Sequence, residues 1–193
     1  TPLYSSAASD VYKRQDVTAG ENKWEGQLGT SVAPATWFGG RMLLWCGATP
    51  SGTNVIEYFA IATTGNGADF GDSTVTGHFR PATSDGSRGV CAMGATPSKV
   101  DTIDYVTIST LGNATDFGDT TEEANHTGGA LSNGTRGVWG NRNRTGGSKT
   151  NTMDYITIQS LGNATDFGDS TTTRLNTGTC SNGTRGCWGG GAD

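Results

Sequence analysis

Three arginines recur at nearly constant spacing, Arg88, Arg136 and Arg185, 48 and 49 residues apart, each after Gly-Ser or Gly-Thr and before a glycine. A planar guanidinium presents a fork of donors that matches carboxylate and phosphate, so a ring of three would hold an acidic sugar or a phosphate. The competing reading is a repeated ion pair with the strand acids Glu57, Asp104 and Asp154. Strict repetition favours that scaffold role, because packing preserves symmetry where ligand sites tend to break it. The second candidate is the D-F-G-D word, with Asp69/Asp72, Asp116/Asp119 and Asp166/Asp169. Oxygen-rich turns hold hard cations, but the spacing lacks the dense D-x-D-x-D-G ladder of a calcium loop. These read as turn acids bonded to their own backbone, and no metal site is expected. Acid–base and nucleophilic chemistry is poorly supplied. The two histidines, His78 and His126, sit at unrelated repeat positions, with no partner at a recognisable spacing. They read as lone surface residues; no catalytic residue and no cofactor is expected. Cys46, Cys91, Cys180 and Cys187 form no C-x-x-C pair. Cys91 stands where later copies have Trp139 and Trp188, and Cys187 where they have Val90 and Val138, which suggests small buried thiols. Whether Cys180 and Cys187 join across a hairpin is open.

These residues must be positioned by a repeated element. TIDYVTISTLGNATDFGDT at 102–120 and TMDYITIQSLGNATDFGDS at 152–170 are close copies, and NVIEYFAIATTGNGADFGDS at 54–73 is a looser one. Their aromatics fall at Phe70, Phe117 and Phe167, with periods of 47 and 50 residues, and their strand tyrosines at Tyr58, Tyr105 and Tyr155. A second word, S-[DN]-G-[ST]-R-G, keeps step with them. Self-similarity at this period signals a repeat architecture, in which each unit buries its faces against its neighbours. Each copy contains about four short strands: the apolar R-G-V run, the tyrosine strand, the D-F-G-D segment and a polar return. In MDYITIQS, Met153 and Tyr155 share one face and Ile156 and Ile158 the other, as suits a sheet covered on both sides.

The 193 residues include 31 glycines, only a third are hydrophobic, and the formal net charge is −5. This composition reads as many strands joined by tight turns, without helical arrays. With no basic run or stripe, phosphate-driven binding to nucleic acid is not expected, nor is binding to an anionic membrane surface. No apolar stretch approaches the length of a transmembrane helix.

A four-stranded sheet repeated every 47–50 residues with both faces covered describes a β-propeller blade. The pattern resembles the Kelch family: a strand closing on glycine, a strand tyrosine, then a second aromatic, here Gly47/Tyr58/Phe70, Gly94/Tyr105/Phe117 and Gly140/Tyr155/Phe167. That resemblance implies an all-β fold, a partial β-propeller of about three and a half blades over 16–193, counting Trp24 as a worn equivalent of Phe70. A β-solenoid-like repeat array is the alternative fold. Thr1–Gln15 shares nothing with the repeats and resembles translated sequencing-adapter read-through, so it is set aside as a non-native segment; without it the balance is 11 basic to 17 acidic residues. Both ends of the propeller are expected to be truncated, with the next tyrosine strand due where the chain stops. The GNATDFGD…SNGTRG wording resembles structural and tail-fibre-like proteins of marine tailed phages. It implies a non-enzymatic virion component that binds a host-surface glycan and contacts other virion proteins. The loops expected to carry such binding are Thr74–Thr83, Thr120–Ala130 and Thr171–Thr179, with the turns Pro97–Val100 and Asn141–Lys149. Two other readings stay open: the propeller part of a secreted or surface-bound bacterial adhesin or carbohydrate-active enzyme, and a structural spacer with no ligand.

Overall fold

A computed structural model describes residues 40–48, 51–125 and 129–192. The adapter-like segment Thr1–Gln15, Trp24 and His126 lie outside the described residues. Within them the chain is strand, turn and bend, with no helix. The all-β expectation is met, in antiparallel sheets throughout.

The strands fall into units that follow the sequence period. Unit one has β1 (Arg41–Ala48), β2 (Gly52–Ala60) and β3 (Ala68–Gly77). Unit two has β4 (Ala82–Ser84), β5 (Arg88–Thr96), β6 (Ser98–Thr107) and β7 (Thr115–Asn125). Unit three has β8 (Ala130–Ser132), β9 (Arg136–Arg144), β10 (Lys149–Thr157) and β11 (Thr165–Asp169), and a fourth begins with β12 (Gly178–Ser181) and β13 (Gly186–Gly189). Each complete unit is an up-and-down meander of a short strand and three longer ones, matching the four-strand reading. Unit one forms a sheet of order β1-β2-β3. Units two and three merge into one sheet, β4-β5-β6-β7-β9-β10-β11, with β8 beside β9. The merger is confined to strand ends, where Ala124 and Asn125 pair with Arg144 and Asn143 beyond the reach of β8. Among the described residues the sheets do not close on themselves.

Local chemistry explains the recurring words. S-[DN]-G-[ST]-R is the hairpin turn that leads into β5, β9 or β13. The side-chain oxygen of Asp85, Asn133 or Asn182 accepts from the backbone N–H two and three residues on, an Asx turn. The glycine that follows takes φ of +93°, +84° and +84° at Gly86, Gly134 and Gly183. D-F-G is a β-bulge. Asp104 pairs with Asp116 and Ile103 with Gly118, leaving Phe117 as the extra residue, and Phe70 and Phe167 are the extra residues of their own strands. The first aspartate closes the bulge: Gly118 and Gly168 N–H donate to Asp116 and Asp166 Oδ1 at 3.2 and 2.9 Å. Beyond the bulge β3 and β7 pair again with their hairpin partners, at Thr53–Gly77 and Val100–Ala124. Much of the expected loop at 74–83 and 120–130 is therefore strand, as are 98–100 and 141–144.

The core lies between units. One cluster joins Val90, Ala92, Met93, Ile103 and Phe117 of unit two to Trp139, Ile156 and Ile158 of unit three. The other joins Trp45, Ile56 and Phe70 of unit one to Cys91 and Val106 of unit two. Covering both faces of a unit thus needs a neighbour, as the apolar residues on both sides of the tyrosine strand imply.

Candidate functional site

The repeated arginine, tyrosine and phenylalanine come together as one stack per unit. The Arg88 guanidinium lies 4.3 Å from the Tyr105 ring centre, and Tyr105 meets Phe117 edge-on at 6.0 Å. Arg136, Tyr155 and Phe167 repeat this at 4.5 and 6.0 Å. Arg41 supplies the first copy over Tyr58 at 5.0 Å, with Tyr58 to Phe70 at 6.2 Å. Register is the cause. Arg88 is directly opposite Thr107, so Tyr105, two residues away, is its diagonal neighbour on the same face. Arg185 lies exposed in the turn before β13, whose unit has no tyrosine strand among the described residues.

The same register overturns the proposed ion pairs. Asp104 and Asp154 are adjacent to the tyrosines and therefore point to the other face. There Asp104 pairs with Arg80 at 3.0 Å and Asp154 with Arg142 at 2.7 Å, all four side chains fully buried. Arg80 and Arg142 are not repeat equivalents, which is why the period did not single them out. Arg142 takes the sequence position that Gly94 holds in unit two, and a Cβ on Gly94 would come within 2.5 Å of Arg80 Cγ. The missing side chain at 94 makes room for the arginine from position 80.

Arg41 and Arg88 also cross to the next unit, donating to the carbonyls of Ile108 at 2.9 Å and Ile158 at 2.8 Å. The buried acids do likewise in reverse. Asp104 accepts from the Ser73 and Thr74 hydroxyls, and Asp154 from the backbone N–H and hydroxyl of Thr121. A third contact joins the two most repeated words. The L-G-N-A turn of each later unit lies against the bulge of the unit before: Gly112 and Ala114 N–H donate to the Phe70 and Asp72 carbonyls, and Gly162 and Ala164 to those of Phe117 and Asp119, at 2.7–2.9 Å. A Cβ on Gly118 would sit 2.6 Å from the Gly162 carbonyl oxygen, and one on Gly71 would run into that of Gly112.

Among the described residues no group of three His, Cys, Asp or Glu side chains is close enough to hold a metal ion. His78 is half-buried against Phe79, not on the open surface, with Nδ1 buried and unbonded. Cys91 fits the expectation of a buried thiol, and burial pushes it up to about 12. Cys187 does not: it is exposed, directly opposite the exposed Cys180, on a β12–β13 hairpin that among the described residues is a sheet of two strands alone. Trp45 and Trp139 are buried, so neither offers a stacking platform, and Trp188 is half-buried. A cavity of about 230 Å³ on the third unit is lined by Tyr155, Ile156 and the turn at Ser160–Asn163. No known family model matches the chain, and no curated protein matches it either.

Proposed function

We propose that this chain is a non-enzymatic, propeller-like repeat scaffold of a virion appendage of the tail-fibre kind, bearing on its rim the polar loops that meet a cell-surface glycan. One observation carries the scaffold part. Recurring arginines and strand acids are occupied by the fold in units one to three: Arg88 by Tyr105 and the Ile158 carbonyl, Asp154 by Arg142 and Thr121. A four-stranded meander per repeat, packed face to face with its neighbours, supports the propeller form. The Kelch-like and phage-like wording supports the appendage, and the Asn-, Thr- and Gly-rich segments outside the strands suit a sugar ligand. Neighbouring virion proteins are the other partners in this reading, and it calls for no cofactor, nucleic acid or membrane.

The ligand-free spacer is the second reading. It is favoured by the backbone-to-backbone hydrogen bonds between units, two at each junction at 2.7–2.9 Å. A glycan array probed with the folded chain separates the two. Saturable binding lost on substitution in the 145–148 or 171–174 segments supports the first; silence from a folded sample leaves the spacer. Sequencing the surrounding DNA tests the appendage: tail and baseplate genes alongside support it. A signal peptide and catalytic domain in the same reading frame would make the chain part of a secreted bacterial protein instead.

A further inference from the structure

The β12–β13 hairpin sets Cys180 directly opposite Cys187, with Thr179 opposite Trp188 and Ser181 opposite Gly186. The neighbours of the two cysteines fix which way they point. The Thr179 and Ser181 hydroxyls donate to the Ala130 and Ser132 carbonyls of β8 at 3.1 and 2.9 Å. A Cβ on Gly186 would run into the Leu131 side chain. Positions 179, 181 and 186 therefore face unit three, and strand alternation turns both cysteines to the opposite face, side by side. The same pair of positions holds Thr83 and Val90 in unit two, and Leu131 and Val138 in unit three. In unit four both members are thiols. Cys46 lies on β1 and Cys91 on β5, so neither shares this hairpin.

The hydrogen-bond phase of the hairpin sets the separation of the pair. The Asn182 N–H donates to the Arg185 carbonyl at 3.2 Å, so 182 and 185 form a hydrogen-bonded pair. Two residues further along each strand, Cys180 and Cys187 form another, which places their Cα atoms about 5.5 Å apart. A disulfide spans Cα atoms roughly 4.4–6.8 Å apart and brings the Cβ atoms to about 3.8 Å. Directly opposite Cβ atoms lie about 4.5–5.5 Å apart, so the bond needs a local approach of roughly an ångström and no change of register.

We infer that Cys180 and Cys187 are a redox modification site, joined by a reversible disulfide that cross-links the two strands of this hairpin. The oxidant is a low-molecular-weight disulfide of the glutathione class. One protein thiolate attacks it, forming a mixed disulfide and releasing one small thiol. The second thiolate attacks the protein sulfur of that mixed disulfide, forming the Cys180–Cys187 bond and releasing the other small thiol. Two protein thiols give up two electrons and two protons, and the oxidant takes up both. Drawing the Cβ atoms together strains the bond and leaves it open to the reverse reaction, so the ratio of oxidised to reduced small thiol sets its state.

The test equilibrates the whole chain, fully reduced, with graded ratios of oxidised to reduced glutathione at roughly pH 8, then quenches, alkylates and maps the peptides by mass. Both cysteines are exposed in this chain, so the reagent reaches them without unfolding. Peptides joined through Cys180 and Cys187 are expected, with the glutathione adduct a minor species. In C180S and C187S the remaining cysteine is expected to accumulate that adduct instead. Concentrated urea removes the register, and closing the pair there is expected to need a ratio about tenfold or more oxidising. Tryptophan emission reports that the samples without urea are folded. Glutathione adducts on both cysteines of the folded chain, with no internal bond, overturn the proposal. A bond to Cys46 or Cys91, or between two chains, overturns it as well, and so does a pair that closes equally readily in urea.

Discussion

The side-chain oxygen of Asn113 accepts a hydrogen bond from the backbone N–H of Asp72, 41 residues earlier, at 3.0 Å. Asn163 repeats it on Asp119 at 3.1 Å. Two words that look like separate turns in the sequence are thus the two halves of one junction. The bulge glycines Gly71 and Gly118 must lack a side chain because the turn backbone passes where a Cβ would sit, and the turn glycines Gly112 and Gly162 hold a positive φ, so both words contribute to the junction.

Alanine at Gly118 and at Gly168 separates conformational strain from contact. Both positions have positive φ, so each substitution costs about 1–3 kcal/mol for a strained backbone. Only Gly118 faces another backbone, that of Gly162 and Asn163, and its substitution costs roughly 1–3 kcal/mol more from overpacking. Urea unfolding of G118A and G168A measures the difference; equal losses would mean that the junction is not the tight contact described.

Arg80 and Arg88 are expected to differ in stability by a wide margin. Removing Arg80 leaves the fully buried Asp104 without its ion-pair partner, a loss of about 3–5 kcal/mol. Removing Arg88 gives up a half-exposed stacking contact of about 0.5–1 kcal/mol and one hydrogen bond of about 1 kcal/mol. Denaturant midpoints of R80M and R88M order the two. An equal or reversed order would return Arg88 to the role of ion-pair partner.

Acid sensitivity has an identifiable contributor in Asp85. Burial raises its carboxyl, but the Arg88 N–H, the Gln159 amide and the Ser87 N–H and hydroxyl outweigh it and hold the group below its ordinary 3.8. A depressed folded value means that its stabilisation is complete above the unfolded pKa and is lost as pH falls through the folded one. Glu122, held down chiefly by its hydrogen bond from Arg144, acts in the same direction. Asp119, raised by burial and by Asp101 and Asp116, opposes them. Asp85→Asn isolates the first effect, since units three and four already use Asn133 and Asn182 in that turn. Between about pH 6 and about pH 2 the Tm of the unsubstituted chain is expected to fall relative to D85N. Parallel curves would contradict this origin.

Thiol reactivity should divide the cysteines. Cys91 is fully buried with its thiol near 12, so at roughly pH 8 about one in ten thousand is thiolate. Cys180 and Cys187 are exposed and are expected to react with an aromatic disulfide reagent in seconds to minutes, Cys91 only at the rate of unfolding. Prompt modification of Cys91, located by peptide mass mapping, would contradict the packing of the second core cluster.

The unit, its four strands and the all-β class were legible because the words recur with a period and the strands are rich in alternating apolar residues. The Tyr58, Tyr105 and Tyr155 positions and their phenylalanines were legible for the same reason. What escaped is non-periodic or remote. Arg80 and Arg142 meet equivalent aspartates from different sequence positions, so no repeat alignment pairs them. The partnership of Asn113 with Asp72 spans 41 residues and two units. One signal was available in principle: Asp104 and Tyr105 are neighbours on a strand, so an arginine that stacks on one cannot also pair with the other.

The account rests on the repeated words being junctions between units, and amide hydrogen exchange tests that most directly. Residue-resolved rates are predicted to show slow exchange at Asp72, Gly112 and Ala114 and at Asp119, Gly162 and Ala164, the donors of the two junctions. The equivalent Asp169, with no such turn over it among the described residues, is predicted to exchange much faster. If the six exchange as fast as Asp169 in a sample whose strand interiors are protected, the words are not junctions, and the arginines and asparagines return to being candidates for a ligand site.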